Sequence, residues 1–155
     1  MKKYLYVICL VIGFAGLNSC SKSSDPAPDP LVGTWKLDRI RTSGFVAPYA
    51  ANNADNDPAI FNYQDMFTTK TDKTFTGTQR ANGVVLDYSG NWESTASTLT
   101  LKDSKGSTDV YTLDATKIPA QLLGTVIATG DSLTNPTTKK VELVKYSVQL
   151  VYLKQ

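Results

Sequence analysis

From residue 31 onward, apolar and polar side chains alternate with the two-residue period of β-strands, and stripes at helical spacing are hard to find. The first predicted strand covers residues 32–41. Residues 63–70 and 74–80 predict a hairpin turning at Thr71-Asp72-Lys73. Ala81-Asn82-Gly83 marks the next turn, because Asn-Gly readily takes the positive φ that tight hairpins require. The run 84–93 follows, with Val84, Leu86, Tyr88 and Trp92 on one face and Gly90 among them as an expected bulge or bend. Residues 98–102 and 109–113 flank Ser104-Lys105-Gly106-Ser107 as another hairpin. After a turn at Ile118-Pro119-Ala120-Gln121, residues 122–129 read as a strand, with a short helix in 118–130 as the alternative. Residues 131–138 read as a loop, and 140–154 as a long last strand. There Val144, Tyr146, Val148, Leu150 and Tyr152 alternate with Lys145, Ser147 and Gln149.

About eight sequential strands joined by hairpins make a meander, and a meander of this size closes on itself to remove exposed edges. The expected fold is therefore all-β, an antiparallel up-and-down barrel of about eight strands occupying residues 31–155. A connection of some twenty residues, 42–62, interrupts the pattern. It carries Phe45, Tyr49, Ile60 and Phe61 around a polar run, and reads either as a lid over a ligand or as a cover for the barrel end.

The segment before residue 31 has a different character. Met1-Lys2-Lys3 is a short positive start, and residues 4–17 are apolar but too few to span a membrane, which takes about 20 residues. Leu17-Asn18-Ser19-Cys20 resembles a lipobox, so residues 1–19 are expected to be a lipoprotein signal peptide and Cys20 the lipidated residue. Residues 20–30 would then be the lipidated cysteine with a proline-punctuated tether, a plain spacer or an export address. The expected location is the bacterial outer membrane, periplasmic face or cell surface, with the lipid as the only membrane contact.

Composition narrows the chemistry. Without residues 1–19 the chain has 136 residues, enough for one domain with its own core. Its fourteen basic and fourteen acidic residues balance, which gives no argument for nucleic acid. There is no histidine, hence no imidazole base or metal ligand. Of the two cysteines, Cys9 leaves with the signal and Cys20 takes the lipid, so no disulfide or thiolate site remains. Asp55 and Asp57 among Asn52, Asn53 and Asn56 match no calcium-loop order. Nor do Asp65, Asp72, Asp87, Glu93 and Glu142 form a convincing acid–acid pair. No catalytic residue, metal or cofactor is expected, and the protein reads as a non-enzyme.

Leu31-Val32-Gly33-Thr34-Trp35-Lys36-Leu37 resembles the Gly-x-Trp start of lipocalins, and most closely the small lipocalin-like domains of Bacteroidota lipoproteins. Phe67 to Phe75 and Gly90-Asn91-Trp92, followed by Leu99-Thr100-Leu101, are similar to that family's later motifs, with Lys73 where glycine is usual. The resemblance implies that Gly33 lets the strand bend while Trp35 plugs the barrel floor. It also implies a late-strand cation against Trp35, with Lys145 and Lys154 both open as candidates. An avidin-like barrel shares Gly-Thr-Trp, but two tryptophans are too few for that family's aromatic cage.

A small barrel encloses one ligand or none. The leading expectation is non-catalytic binding of a small apolar or amphipathic molecule, with Tyr88, Trp92, Tyr111 and Tyr146 as wall residues and Tyr49 and Phe61 at the mouth. The competing expectation is a barrel filled by its own side chains, acting through its outer surface as an accessory lipoprotein in an envelope complex.

Overall fold

The computed structural model describes residues 29–155. The signal peptide, Cys20 and most of the tether lie outside the described residues. Alternation becomes hairpins where the turn chemistry allows it. Strands β1 (Gly33–Ser43), β3 (Tyr63–Thr69), β4 (Thr74–Ala81), β5 (Val84–Ser94), β6 (Thr98–Asp103), β7 (Thr108–Asp114), β8 (Gln121–Gly124) and β10 (Val141–Lys154) pair in that order, and β10 returns to β1. Every pairing is antiparallel, which closes an eight-stranded barrel. Asn82 and Gly83 turn β4 into β5 with φ of 49° and 83°, as the Asn-Gly pair predicts.

Two further strands extend the sheet past the barrel rim. The short β2 (Ala54–Asn56) continues along β1 where β3 has ended, and β9 (Ile127–Thr134) continues along β10 where β8 has ended. Strands β8 and β9 are one edge interrupted by a bulge. Leu123 faces Val151 and Ile127 faces Val148, so Gly124, Thr125 and Val126 oppose only Gln149 and Leu150. This corrects the expectation of a single strand over 122–129 followed by a loop from 131. The strand resumes through Thr134, because its pairing with the long β10 outweighs the turn-forming Gly130-Asp131-Ser132.

The connection 42–62 is built, not loose. It holds 3₁₀ turns at Ala50–Asn52 and Pro58–Phe61 with β2 between them. Asn53 bridges the backbone of Phe45 in both directions, at 3.0 and 2.8 Å, and Arg41 grips Asp55 through two nitrogens at 2.7 and 3.0 Å. Asp57 accepts from the Ala59 N–H at 2.9 Å and so caps the second turn. The polar run thus serves its own backbone. Phe45 stacks on Tyr146 with centroids 4.4 Å apart, and with Tyr49, Val144 and Leu133 forms a small apolar cluster outside the barrel.

The main core fills the barrel's lower half. Trp35, Phe67, Phe75, Trp92, Leu99, Leu122 and Tyr152 are all fully buried. At the floor the Leu31 carbonyl accepts from the Trp35 indole N–H at 3.1 Å and from the Thr69 hydroxyl. Lys154 donates to the Pro30 carbonyl at 2.6 Å and lies 5.6 Å from the centre of the Trp35 ring, so Lys154 is the late-strand cation. Gly33 has φ of 140°, and a Cβ there would press on the Lys154 stem. Gly90 carries no register shift. A side chain there would collide with the Lys102 carbonyl, so Gly90 serves close strand approach.

Lys73 shows what this chain does where the family pattern has glycine. Its φ is 64°, a left-handed conformation that costs an L-residue about 1 kcal/mol. In return its Nζ sits 3.5 Å above the Trp92 ring and 3.2 Å from Asp29. Lys73→Gly removes both contacts but relieves the strain, so its stability in urea denaturation should stay close to that of the parent. Lys73→Ala loses the contacts and keeps the strain, and should fall below Lys73→Gly by about 1 kcal/mol.

Candidate ligand-binding site

Above the packed floor the interior changes from apolar to polar. Along β3 the odd positions Tyr63, Asp65, Phe67 and Thr69 point inward, which places a carboxylate inside the barrel. Asp65 is only 8 % exposed. Tyr88 from β5 donates to one of its oxygens at 2.7 Å and Tyr152 from β10 to the other at 2.6 Å. Three strands on different sides of the barrel are thereby tied through one carboxylate.

The reach of Tyr88 depends on Gly77. These two residues pair across β4 and β5, and Asp65 lies one strand further on. A Cβ on Gly77 would collide with the Tyr88 ring. The glycine leaves a bare backbone for the ring to cross. Around the pair, the Tyr111 ring meets Tyr152 edge-on at 5.4 Å, and Phe67 packs against Tyr152 at 5.3 Å and Tyr111 at 5.5 Å. Tyr63 accepts from the Gln79 amide and lies nearer the rim.

Electrostatically the layer is anionic and lacks a counter-ion. The four ion pairs among the described residues leave Asp65 out. Burial pushes its carboxyl above the usual carboxylate range. The Tyr152 and Tyr88 hydroxyls oppose this, and the charge of Asp109 adds to it. Burial, then the neighbouring Tyr111 and Asp65, drives the Tyr152 phenol upward. Burial and Asp65 do the same to Tyr88, so both hydroxyls remain donors.

A cleft of about 610 Å³ leads to this layer through the barrel wall. It forms because β1 and β3 part company after Lys36 and Met66, β1 is irregular between Leu37 and Arg39, and the Pro58–Phe61 turn bridges the gap above. Leu37, Tyr63 and Asp65 line it, as do Lys36, Ala59 and Arg80. At the rim Val84 and Leu86 continue the inward face of Tyr88 and remain exposed, at 70 and 46 %.

The six sequence-predicted ligand residues fall in different places. Tyr88 and Tyr111 belong to the interior layer. Trp92 lies below it as floor, its indole N–H donating to the Lys70 carbonyl at 2.9 Å. Tyr49 and Tyr146 pack in the cluster outside the barrel, Tyr49 donating to Glu142 at 3.2 Å and Tyr146 to Asp131 at 2.9 Å. Phe61, half exposed, joins Tyr146 in lining a separate depression of about 330 Å³. Sequence reasoning passed over Asp65, Tyr63, Gln79 and Tyr152 as site residues. A charged residue at an inward position between Tyr63 and Phe67 was the signal.

The Gly-x-Trp floor, the closed meander and the cation on Trp35 together define a lipocalin-like barrel. Residues 31–118, over half of the chain, match the profile of the lipocalin-like domain, and the chain belongs to that family. Strands β8 and β10, which close the barrel, lie beyond the matched stretch. No curated protein and no solved structure matches the chain. The fold is one that serves ligand binding, in a family whose members are generally binders without enzymatic activity.

Asp65 gives two measurable consequences. Its folded pKa exceeds its unfolded value, so its contribution to stability is greatest below the ordinary aspartate range. That contribution is lost as pH rises through the folded pKa. The stability difference between Asp65→Asn and the parent should therefore shift in favour of the variant as pH rises through that window, then level off. Tyr152→Phe leaves a buried carboxylate oxygen without its donor and should cost about 1–3 kcal/mol in chemical denaturation.

Proposed function

We propose that this domain is a lipid-anchored, non-catalytic binding module of the bacterial envelope, taking a small amphipathic ligand through the wall cleft and rim above the Asp65 layer. One contrast carries the reading. The lower barrel is packed with its own aromatic and aliphatic side chains, whereas a cleft of about 610 Å³ opens onto polar groups of the interior. The ligand is accordingly held near the surface, with apolar contacts from Leu37 and the rim and polar contacts from Tyr63 and Asp65.

The anchor reading fits the way the chain enters the barrel. Asp29, Pro30 and Leu31 are held at the floor by Lys73, Lys154 and Trp35. A lipid on Cys20 would thus attach from the floor end and turn the rim away from the membrane. A second reading, the filled barrel acting through its outer surface in an envelope complex, draws on the apolar side chains of the β9–β10 arm. Ile127, Val141 and Leu143 are exposed there at 60, 68 and 71 %.

Native mass spectrometry of residues 22–155, purified gently from the native host, separates the two. A reproducible added mass that is lost on denaturation, and lost again in a cleft variant such as Ala59→Trp, is the expected result. A clean apo mass with co-purifying protein that tracks Leu143→Asp would favour the outer-surface reading. For the anchor, Cys20→Ala should move the protein from the detergent phase to the aqueous phase in detergent partitioning.

A further inference from the structure

The reading of the wall cleft as a ligand site leaves open which chemistry it selects, and the inner end of the cleft bears on that. Asp65 is nine-tenths buried, faces the interior and has no basic side chain within ion-pair distance. Its two hydroxyl donors occupy one site on each oxygen and the Met66 backbone N–H also acts on the group, while an ionised carboxylate offers about four sites. Buried charges in folded proteins are ordinarily paired. Of the tyrosines around Asp65, Tyr88 and Tyr152 turn their hydroxyls to the carboxylate, and Tyr63 lines the cleft, where its ring can attract a cation through its quadrupole.

The charges at the cleft's outer end have the opposite sense. Arg39 is occupied by its neighbour Asp38, with contacts at 2.8 Å to the carbonyl and 3.5 Å to the carboxylate. Asp57 accepts from the Ala59 N–H and keeps its negative charge. Lys36 and Arg80 remain without a carboxylate partner among the described residues. The cleft thus ends inside on a carboxylate beside Tyr63 and is net positive at its lip, with Lys36, Arg39 and Arg80 against Asp38 and Asp57.

We propose that the cleft binds a small molecule bearing an ammonium group, with Asp65 as its counter-ion, Tyr63 and Leu37 against its body, and Lys36 and Arg80 meeting any anionic substituent left at the lip. This proposal rests on the cleft being the ligand site. The carboxylate–tyrosine layer is then the recognition element, held ready by hydroxyl donors and completed by the ligand's charge. Desolvation makes such a pairing more selective than a surface one, since a neutral analogue leaves the buried carboxylate without a counter-ion.

Calorimetry on residues 22–155 with four probes that share one benzyl group tests it: phenethylamine, L-phenylalanine, 2-phenylethanol and phenylacetate. Both ammonium compounds should bind at least tenfold more tightly than the alcohol and the acetate. Asp65→Asn should erase that preference with the circular dichroism spectrum unchanged, and Ala59→Trp, at the exposed lip, should weaken the ammonium compounds without touching Asp65. Should Asp65→Asn fail to fold, the parent's four-probe ranking and Ala59→Trp still decide. Equal binding of all four, abolished by Ala59→Trp, would overturn the charge selection and leave the cleft as the site. Binding indifferent to Ala59→Trp, or none at all, would overturn both.

Discussion

The Asp65 carboxylate is the constraint around which this barrel is arranged. A buried charge is costly unless donors reach it, and here they come from β5 and β10, on either side of β3. To supply them, Tyr88 must lie across a strand that carries glycine at the crossing point, and Tyr152 must sit inward near the end of the longest strand. Those demands set the strand register. A one-residue slip of β5 against β4 would turn Tyr88 outward and place a side chain where Gly77 is required. The polar layer therefore selects one register among those the apolar alternation alone would permit.

Below that layer the barrel is a conventional core, and this moves the site. Trp35 and Trp92 occupy the floor, each with its indole N–H bonded to a backbone carbonyl, each with a lysine against its ring. The arrangement is nearly repeated: a Gly-x-Trp step, at the start of β1 and near the end of β5, a plugging indole and a basic cover. Two such plugs, with Phe67, Phe75 and Leu99 between them, leave no room for a deep chamber. The open cleft lies above this floor, where β1 and β3 separate and the rim residues are exposed.

Much of this was legible in the chain. Strand parity exposed the inward faces of β5 and β10, Asn82-Gly83 located a hairpin, and Gly33-Thr34-Trp35 located the floor. Three things were hidden for physical reasons. The interior volume depends on how large side chains from opposite walls meet, which no single strand's pattern encodes. Tyr146 shares a face with Tyr152, yet it lies beyond the barrel's end because β10 is long enough to serve two layers, the barrel below and the Phe45 cluster above. The carboxylate–tyrosine contacts span 23 and 87 residues of sequence, so local periodicity has no access to them. Asp65 itself looked like a solvated strand-end acid, and only the inward parity of Tyr63 and Phe67 argued otherwise.

The pairing of a packed floor with a charged upper layer also bears on why the polar groups sit where they do. A carboxylate placed at the floor would be wholly enclosed by indole and phenyl rings, out of reach of any ligand and expensive to ionise. Placed at the open rim it would be solvated and select little, since water would compete for every contact. At the height of Asp65 it is shielded enough for charge to matter and lies at the inner end of a cleft through which a ligand can arrive. The break between β1 and β3 supplies that access without opening the barrel. Closure is kept by β10, which pairs with β1 from Trp35 opposite Lys154 up to Ser43 opposite Ser147, so the wall yields on one side only. The same strand that completes the barrel delivers Tyr152 to the carboxylate, and in this way closure and the polar layer rest on one element.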